Sequence, residues 1–182
     1  TTQTNRAVLT GQETSVVAEG TDDPMGSTIA GTGGVRTLTQ CVKPASRGVI
    51  ALPATADTQL KIVNPDASEA AIDLTLYGAE GEIQSLGARG ITLAAYEERA
   101  IALSVLTKKA TPVGVSFQAS RGRAAVMAIT QTQSSGTAAG PSQLGTSHLL
   151  PGIPAGATSS VVVLANPGET RITANLTAYG TT

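Results

Sequence analysis

The stretch Leu60-Lys61-Ile62-Val63-Asn64-Pro65, continued by Ala71-Ile72-Asp73-Leu74-Thr75-Leu76-Tyr77-Gly78, decides how the rest of the chain is read. Close to the C-terminus it returns as Val162-Val163-Leu164-Ala165-Asn166-Pro167 and Thr173-Ala174-Asn175-Leu176-Thr177-Ala178-Tyr179-Gly180. Asn64 and Asn166 are 102 residues apart, as are Tyr77 and Tyr179, with no gap between the two halves. A constant offset across two turn residues and an aromatic marks an internal repeat. Within each copy apolar residues alternate with polar ones, the period of a half-buried strand. Leu60 and Ile62 point opposite to Lys61, and Ile72, Leu74 and Leu76 point opposite to Asp73, Thr75 and Tyr77. Asn64-Pro65-Asp66 supplies the turn, because proline fixes φ and Asn or Asp bonds local backbone. The pair therefore reads as a hairpin over one core. The second copy repeats the pattern with Val162, Leu164, Ala174, Leu176 and Ala178, so its core side is smaller and its partners must be larger or closer.

Outward from this repeat the chain is a succession of short strands. Arg36–Gln40, Gly48–Leu52, Gly81–Ile83, Gly90–Leu93, Val113–Gln118 and Ala124–Ile129 are apolar or alternating runs bounded by Gly, Pro, Asn or Ser. Tyr96–Arg99 reads as a turn, and Ala100–Leu106 as a strand passing into a short helical turn. Arg121-Gly122-Arg123 reads as a hairpin tip, with Gly122 supplying a positive φ. Gln131–Gly145 holds little apolar character and reads as a linker. Short strands at roughly 8–12-residue spacing indicate an all-β fold. The expectation is tandem immunoglobulin-like β-sandwich units, the first over residues 28–135 and a partial second over 146–182. Three strands bury too little to stand alone, so residues 1–20 are expected to complete the second unit.

Composition narrows function by exclusion. Charged residues make up 14% of the chain and the net charge is −1, which gives no long-range field for nucleic acid or an anionic membrane. Aromatics are 2% with no Trp, so cores must be built from Val, Ile, Leu and Ala. The single cysteine, Cys41, excludes an internal disulfide and reads as a small buried hydrophobe without a thiolate-stabilising neighbour. His148 is the one histidine, so no histidine metal cluster can form, and it reads as a loop or strand-edge residue rather than a general base. No Gly-x-Ser-x-Gly occurs. Gly31-Thr32-Gly33-Gly34 lacks the spacing of a phosphate cradle.

Carboxylate pairs are the remaining route to chemistry, since glycoside hydrolysis needs only two at the right separation. Asp22 with Asp23, Glu80 with Glu82, and Glu97 with Glu98 are the candidates, all in expected turns where charges are solvated. Asp22-Asp23 or Asp66 with Glu69 offers oxygen ligands for calcium, but without the Asp-x-Asp-x-Asp-Gly spacing. No catalytic, cofactor-binding or metal residue is expected. The basic tip Arg121-Gly122-Arg123 reads as a solvated turn before it reads as an anion site. Tyr77 and Tyr179 are expected to fold a ring over the sheet edge and place a hydroxyl on a backbone group.

Asn64-Pro65 followed by Asp73-Leu74-Thr75-Leu76-Tyr77-Gly78-Ala79-Glu80-Gly81 resembles the core repeat of a family of secreted or membrane-anchored actinobacterial proteins of unknown function. Gly34–Cys41, Gly90–Leu93 and the Arg121–Arg123 tip resemble further segments of that family, although the tryptophans expected after the cysteine are missing. The resemblance implies an extracytoplasmic location, secreted or at the cell surface, with an N-terminal anchor outside this sequence. It lends no catalytic residue. Asn175-Leu176-Thr177 matches a glycosylation sequon but is expected inside a strand of a bacterial protein, where it carries no weight. The expected function is a non-catalytic interaction or scaffold module of the cell envelope, binding a protein or polysaccharide. The alternative is a carbohydrate-binding or carbohydrate-active accessory domain in cell-wall glycan assembly.

Overall fold

A computed structural model of the chain describes residues 27–30, 37–40, 42–52, 57–108, 113–131, 136–141, 145 and 162–177. Eleven strands lie among them. Ser27–Ala30 (β1) and Thr37–Gln40 (β2) form an antiparallel ribbon of their own. Arg47–Leu52 (β3), Thr58–Val63 (β4), Ala70–Gly78 (β5) and Gly81–Ile83 (β6) follow. A single 3-10 turn at Leu86–Ala88 leads to Ile91–Leu93 (β7) and Glu98–Ala102 (β8). One helical turn, Leu103–Leu106 (α1), precedes Val113–Arg121 (β9), Ala125–Gln131 (β10) and Gly136–Ala139 (β11).

The other nine strands sort into two antiparallel sheets over one core. One sheet runs β11-β10-β4-β8; the other runs β3-β9-β5-β6, with β7 added to β5 beside β6. Leu60, Ile62 and Val126 of the first sheet meet Ile50, Leu74 and Val115 of the second. The parity read from the sequence holds: β4 buries Leu60 and Ile62, and β5 buries Ile72, Leu74 and Leu76. The all-β fold is thus as expected.

The pairings differ from expectation. β4 and β5 are not a hairpin, because β4 lies in one sheet and β5 in the other. The Asn64 turn arches between the sheets, so both strands face the same core without touching each other's backbone. Arg121–Arg123 is likewise an arch, from β9 in one sheet to β10 in the other, although Gly122 does take the expected positive φ of 71°. Alternation dictates which face is buried, and that condition is met equally by hairpin and arch. The stretch read as a linker contains β11, which pairs with β10 from Gly136 to Gln131. Its small residues, Gly136-Thr137-Ala138-Ala139, show no alternation to mark it, although Ala139 packs against the core. The turn before β8 spans Ala94–Glu97, and Glu98 and Arg99 already belong to the strand. Cys41, His148, Asp22, Asp23, Tyr179 and the proposed pairing of residues 1–20 lie outside the described residues.

Among the described residues Phe117 is the single aromatic ring in this core. It packs over Gly48, whose missing side chain makes the room: a Cβ there would lie 2.5 Å from Phe117 Cε1. Gly48→Val is expected to destabilise the sandwich by about 1–3 kcal/mol through overpacking. Urea unfolding followed by circular dichroism measures it; an unchanged midpoint would mean the ring has another place to go.

The second copy of the repeat behaves differently. Residues 162–177 form no strand or helix. Ala165 approaches the five-stranded sheet, where a Cβ on Gly114 would come within 2.9 Å of Ala165 Cβ. Asn175 is exposed and does not sit inside a strand, contrary to expectation.

Candidate functional site

One end of the sandwich gathers the Asn64 turn, the turn before β8 and the Arg121–Arg123 arch. Asn64 is fully buried and holds this end together. Its Oδ1 accepts from Asp66 N at 3.1 Å, and its Nδ2 donates to Ser68 O at 2.7 Å; both bonds are local. The same Nδ2 also donates to Ala94 O at 2.8 Å and, at a longer 3.4 Å, to Leu93 O. Backbone bonds complete the joint, Asn64 N to Glu97 O at 2.9 Å and Tyr96 N to Asp66 O at 3.2 Å. A buried amide satisfied on every side fixes the angle between the two turns.

Charges around this joint are paired off. Arg123 grips Asp66 with Nε and Nη2 on both carboxylate oxygens, between 2.9 and 3.2 Å. Arg121 pairs with Glu69. It is aimed there by a β-bulge: Ala71 faces Arg121 while Ile72 faces Ala119, which leaves Ser120 as the extra residue. Glu97 accepts from Ala94 N at 2.7 Å and from Arg99 at 2.8 Å. Lys61 meets Glu98 at 3.1 Å across β4 and β8. The candidate pair Glu97 and Glu98 therefore diverges to separate partners, Glu97 closing the turn and Glu98 opening β8. Asp66 and Glu69 spend their oxygens on arginine, and the described residues hold no cluster of three metal-ligating side chains. The basic tip is compensated rather than poised for an anion.

The Arg123 hydrogen bond holds the Asp66 carboxyl below its ordinary value of 3.8, against a smaller opposing effect of burial. The Ala94 N–H, followed by Arg99, lowers Glu97 from 4.5. A depressed folded value means that these carboxylates contribute stability above their ordinary range. That contribution is lost as pH falls through the lower folded values. Stability is accordingly expected to hold down to about pH 5 and to fall below about pH 4. Carbon-detected NMR titration checks the assignment: Arg123→Ala should move the Asp66 midpoint up and leave Glu97 in place. An unmoved Asp66 midpoint would refute it.

The remaining candidates are scattered. Glu80 and Glu82 flank the tight turn at Gly81, and Glu82 pairs with Arg89 at 3.3 Å. That pair lines a cleft of about 220 Å³ between β6 and the 3-10 turn, with Gln84, Ser85 and Ile83. Tyr77 differs from expectation: its hydroxyl accepts from Ser116 Oγ at 3.4 Å, a side chain on the neighbouring strand, not a backbone group. Sequence reasoning missed Tyr96. It stands exposed at φ +60°, a conformation costly for a bulky side chain, and nothing in Ala95-Tyr96-Glu97 signals it.

Two antiparallel sheets on a Val/Ile/Leu core, closed at one end by a charge-compensated set of turns, define an all-β sandwich protein. The sequence matches, over residues 2–182, a family of unknown function (DUF5719), and the chain belongs to that family. This agrees with the uncharacterised family expected from the repeat. No curated protein and no solved structure matches the chain.

Proposed function

We propose that this chain is a non-catalytic interaction or scaffold module of the cell envelope. In this reading two immunoglobulin-like units stand in tandem outside the cytoplasmic membrane of an actinobacterium. The chain engages an envelope protein or a cell-wall polysaccharide. The observation that carries the proposal is the loop end. Its carboxylates are taken up by arginine and backbone donors, while Tyr96 is held out in a strained conformation on a rigid, fully bonded joint. Such a surface offers shape and an aromatic anchor, the ingredients of recognition. The carbohydrate-binding alternative rests on the cleft beside β6, whose lining offers Glu82, Gln84 and Arg89 to hydroxyl groups but no aromatic ring.

The test places a photoreactive phenylalanine at position 96 and irradiates the protein on intact envelopes of its own organism. A defined envelope protein, captured from position 96 and not from Thr92, is the expected result. Glycan captured without protein would move the alternative to first place. Nothing captured would make the chain a spacer and overturn the proposal.

A further inference from the structure

Tyr96 occupies a place that backbone geometry reserves for glycine. Glu97 N donates to Ala94 O at 3.2 Å, which closes a four-residue turn over Ala94–Glu97. Of the two central residues only Tyr96 has a positive φ, the signature of a type II turn. Glycine or asparagine suits that position, because at φ +60° a larger side chain crowds its own backbone. Burial of the ring does not offset the strain, since Tyr96 is 68% exposed.

The turn is held in this conformation from two sides. From within, Glu97 Oε2 accepts from Ala94 N at 2.7 Å while Oε1 accepts from Arg99 Nη2 at 2.8 Å. From the Asn64 turn, Asp66 O accepts from Tyr96 N and Asn64 Nδ2 donates to Ala94 O. The charges nearby cancel in pairs: Asp66 with Arg123, Glu69 with Arg121, Glu97 with Arg99, and Glu98 with Lys61. Both oxygens of Asp66 and both of Glu97 already accept hydrogen bonds, so neither carboxylate is free to orient a saccharide hydroxyl. A projecting ring among neutralised charges fits an apolar pocket on a protein, where aromatic anchors are most effective.

We propose that Glu97 is the positioning residue of a protein-recognition site whose anchor is Tyr96. Its carboxylate stabilises the turn that strains Tyr96, and so presents the ring already ordered to the partner's pocket. The inference rests on the interaction-module reading proposed above. One arm of its test needs no partner, so the two can fail separately.

In the free protein, Tyr96→Asn and Tyr96→Gly relieve the strain and should each raise Tm by about 2–6 °C. An unchanged or lower Tm in both would overturn the proposal, because the ring would then serve the fold. In the second arm, Glu97→Ala and Glu97→Gln are introduced into the full chain carrying the photoreactive phenylalanine at position 96. Irradiation on intact envelopes is done well below either melting point, so that a fall in capture reports on the turn and not on unfolding. Glu97→Ala should lower capture of the protein partner at least about fivefold, as the competent turn becomes a minor conformer. Glu97→Gln, whose amide oxygen can still accept from Ala94 N, should restore most of it. Equal capture by the alanine variant and the unaltered chain would overturn the proposal. So would glycan captured without protein, or capture that disappears at high ionic strength, which would mean attraction between charges. No capture by the unaltered chain would remove the interaction reading itself, and this inference with it, whatever the Tm values.

Discussion

Asn64→Ala is expected to destabilise the sandwich by about 3–5 kcal/mol, while Asn166→Ala changes stability by no more than about 0.5 kcal/mol. The chemistry of the two substitutions is identical, so the difference isolates burial. Removing the Asn64 amide strands Ser68 O, Ala94 O and Asp66 N, with Leu93 O losing its longer contact. Asn64 itself is completely enclosed, so its loss leaves an internal gap, while Ser68 and Ala94 are exposed residues and the Leu93 carbonyl stays shut in. Each buried polar group left without a partner costs about 1–3 kcal/mol. Asn166 makes the same two local bonds, but in solvent, where water substitutes for them. Thermal unfolding of both variants decides the matter. At roughly 4–8 °C per kcal/mol for a domain of this size, Asn64→Ala should lower Tm by about 12 °C or more. Equal shifts would mean that the Asn64 joint is looser than its geometry indicates.

Leu74→Ala should cost about 3–4 kcal/mol, close to the middle of the range for a buried leucine. Leu176→Ala, at the equivalent place in the second copy, should stay within about 0.5 kcal/mol. Leu74 is fully buried at the centre of β5, between β9 and the edge formed by β6 and β7. The core around it holds one aromatic ring and otherwise branched aliphatic and alanine side chains. Such a core has few large neighbours able to collapse into the space left by three methyl-sized carbons, so most of the cavity should persist. Urea denaturation gives both values, and the slope of the transition should be the same for each. A loss of only about 1 kcal/mol in Leu74→Ala would indicate that the sheets close over the gap.

Much of the fold was legible in the sequence because burial and backbone geometry act locally. Alternation placed Leu60, Ile62, Ile72, Leu74 and Leu76 on one core, and the structure buries all five. Gly122 was assigned its positive φ from the Arg-Gly-Arg tip, and the Ala100–Leu106 run was read as strand followed by a helical turn. The local half of the Asn64 turn was also visible, since proline and an Asx side chain need nothing beyond four residues. Of the candidate site, however, only the parts were readable. Nothing in the sequence joins Asp66 to Arg123 or Glu69 to Arg121, because those pairs are brought together by an arch between sheets and a bulge at Ser120. Tyr96 carries no mark at all, since its strained φ follows from the bonds that Asp66 O and Asn64 impose on its turn.

The sequence by itself determined that the chain is built of short strands, which side of β4 and β5 is buried, where the Asn64 and Gly122 turns fall, and that one unit is repeated at a fixed offset. These follow from side-chain period and from the dihedral limits of Pro, Asn and Gly, which neighbours in the chain suffice to set. Only the tertiary structure decided which strand lies beside which, that both expected hairpins are arches, and that the two copies differ in fate. Backbone hydrogen bonds are nearly indifferent to side-chain identity, so register and partner are chosen by how the whole apolar surface closes. In the first copy the facing sheet closes it; in the second the same turn is formed and Val162, Leu164, Ile172 and Leu176 are exposed.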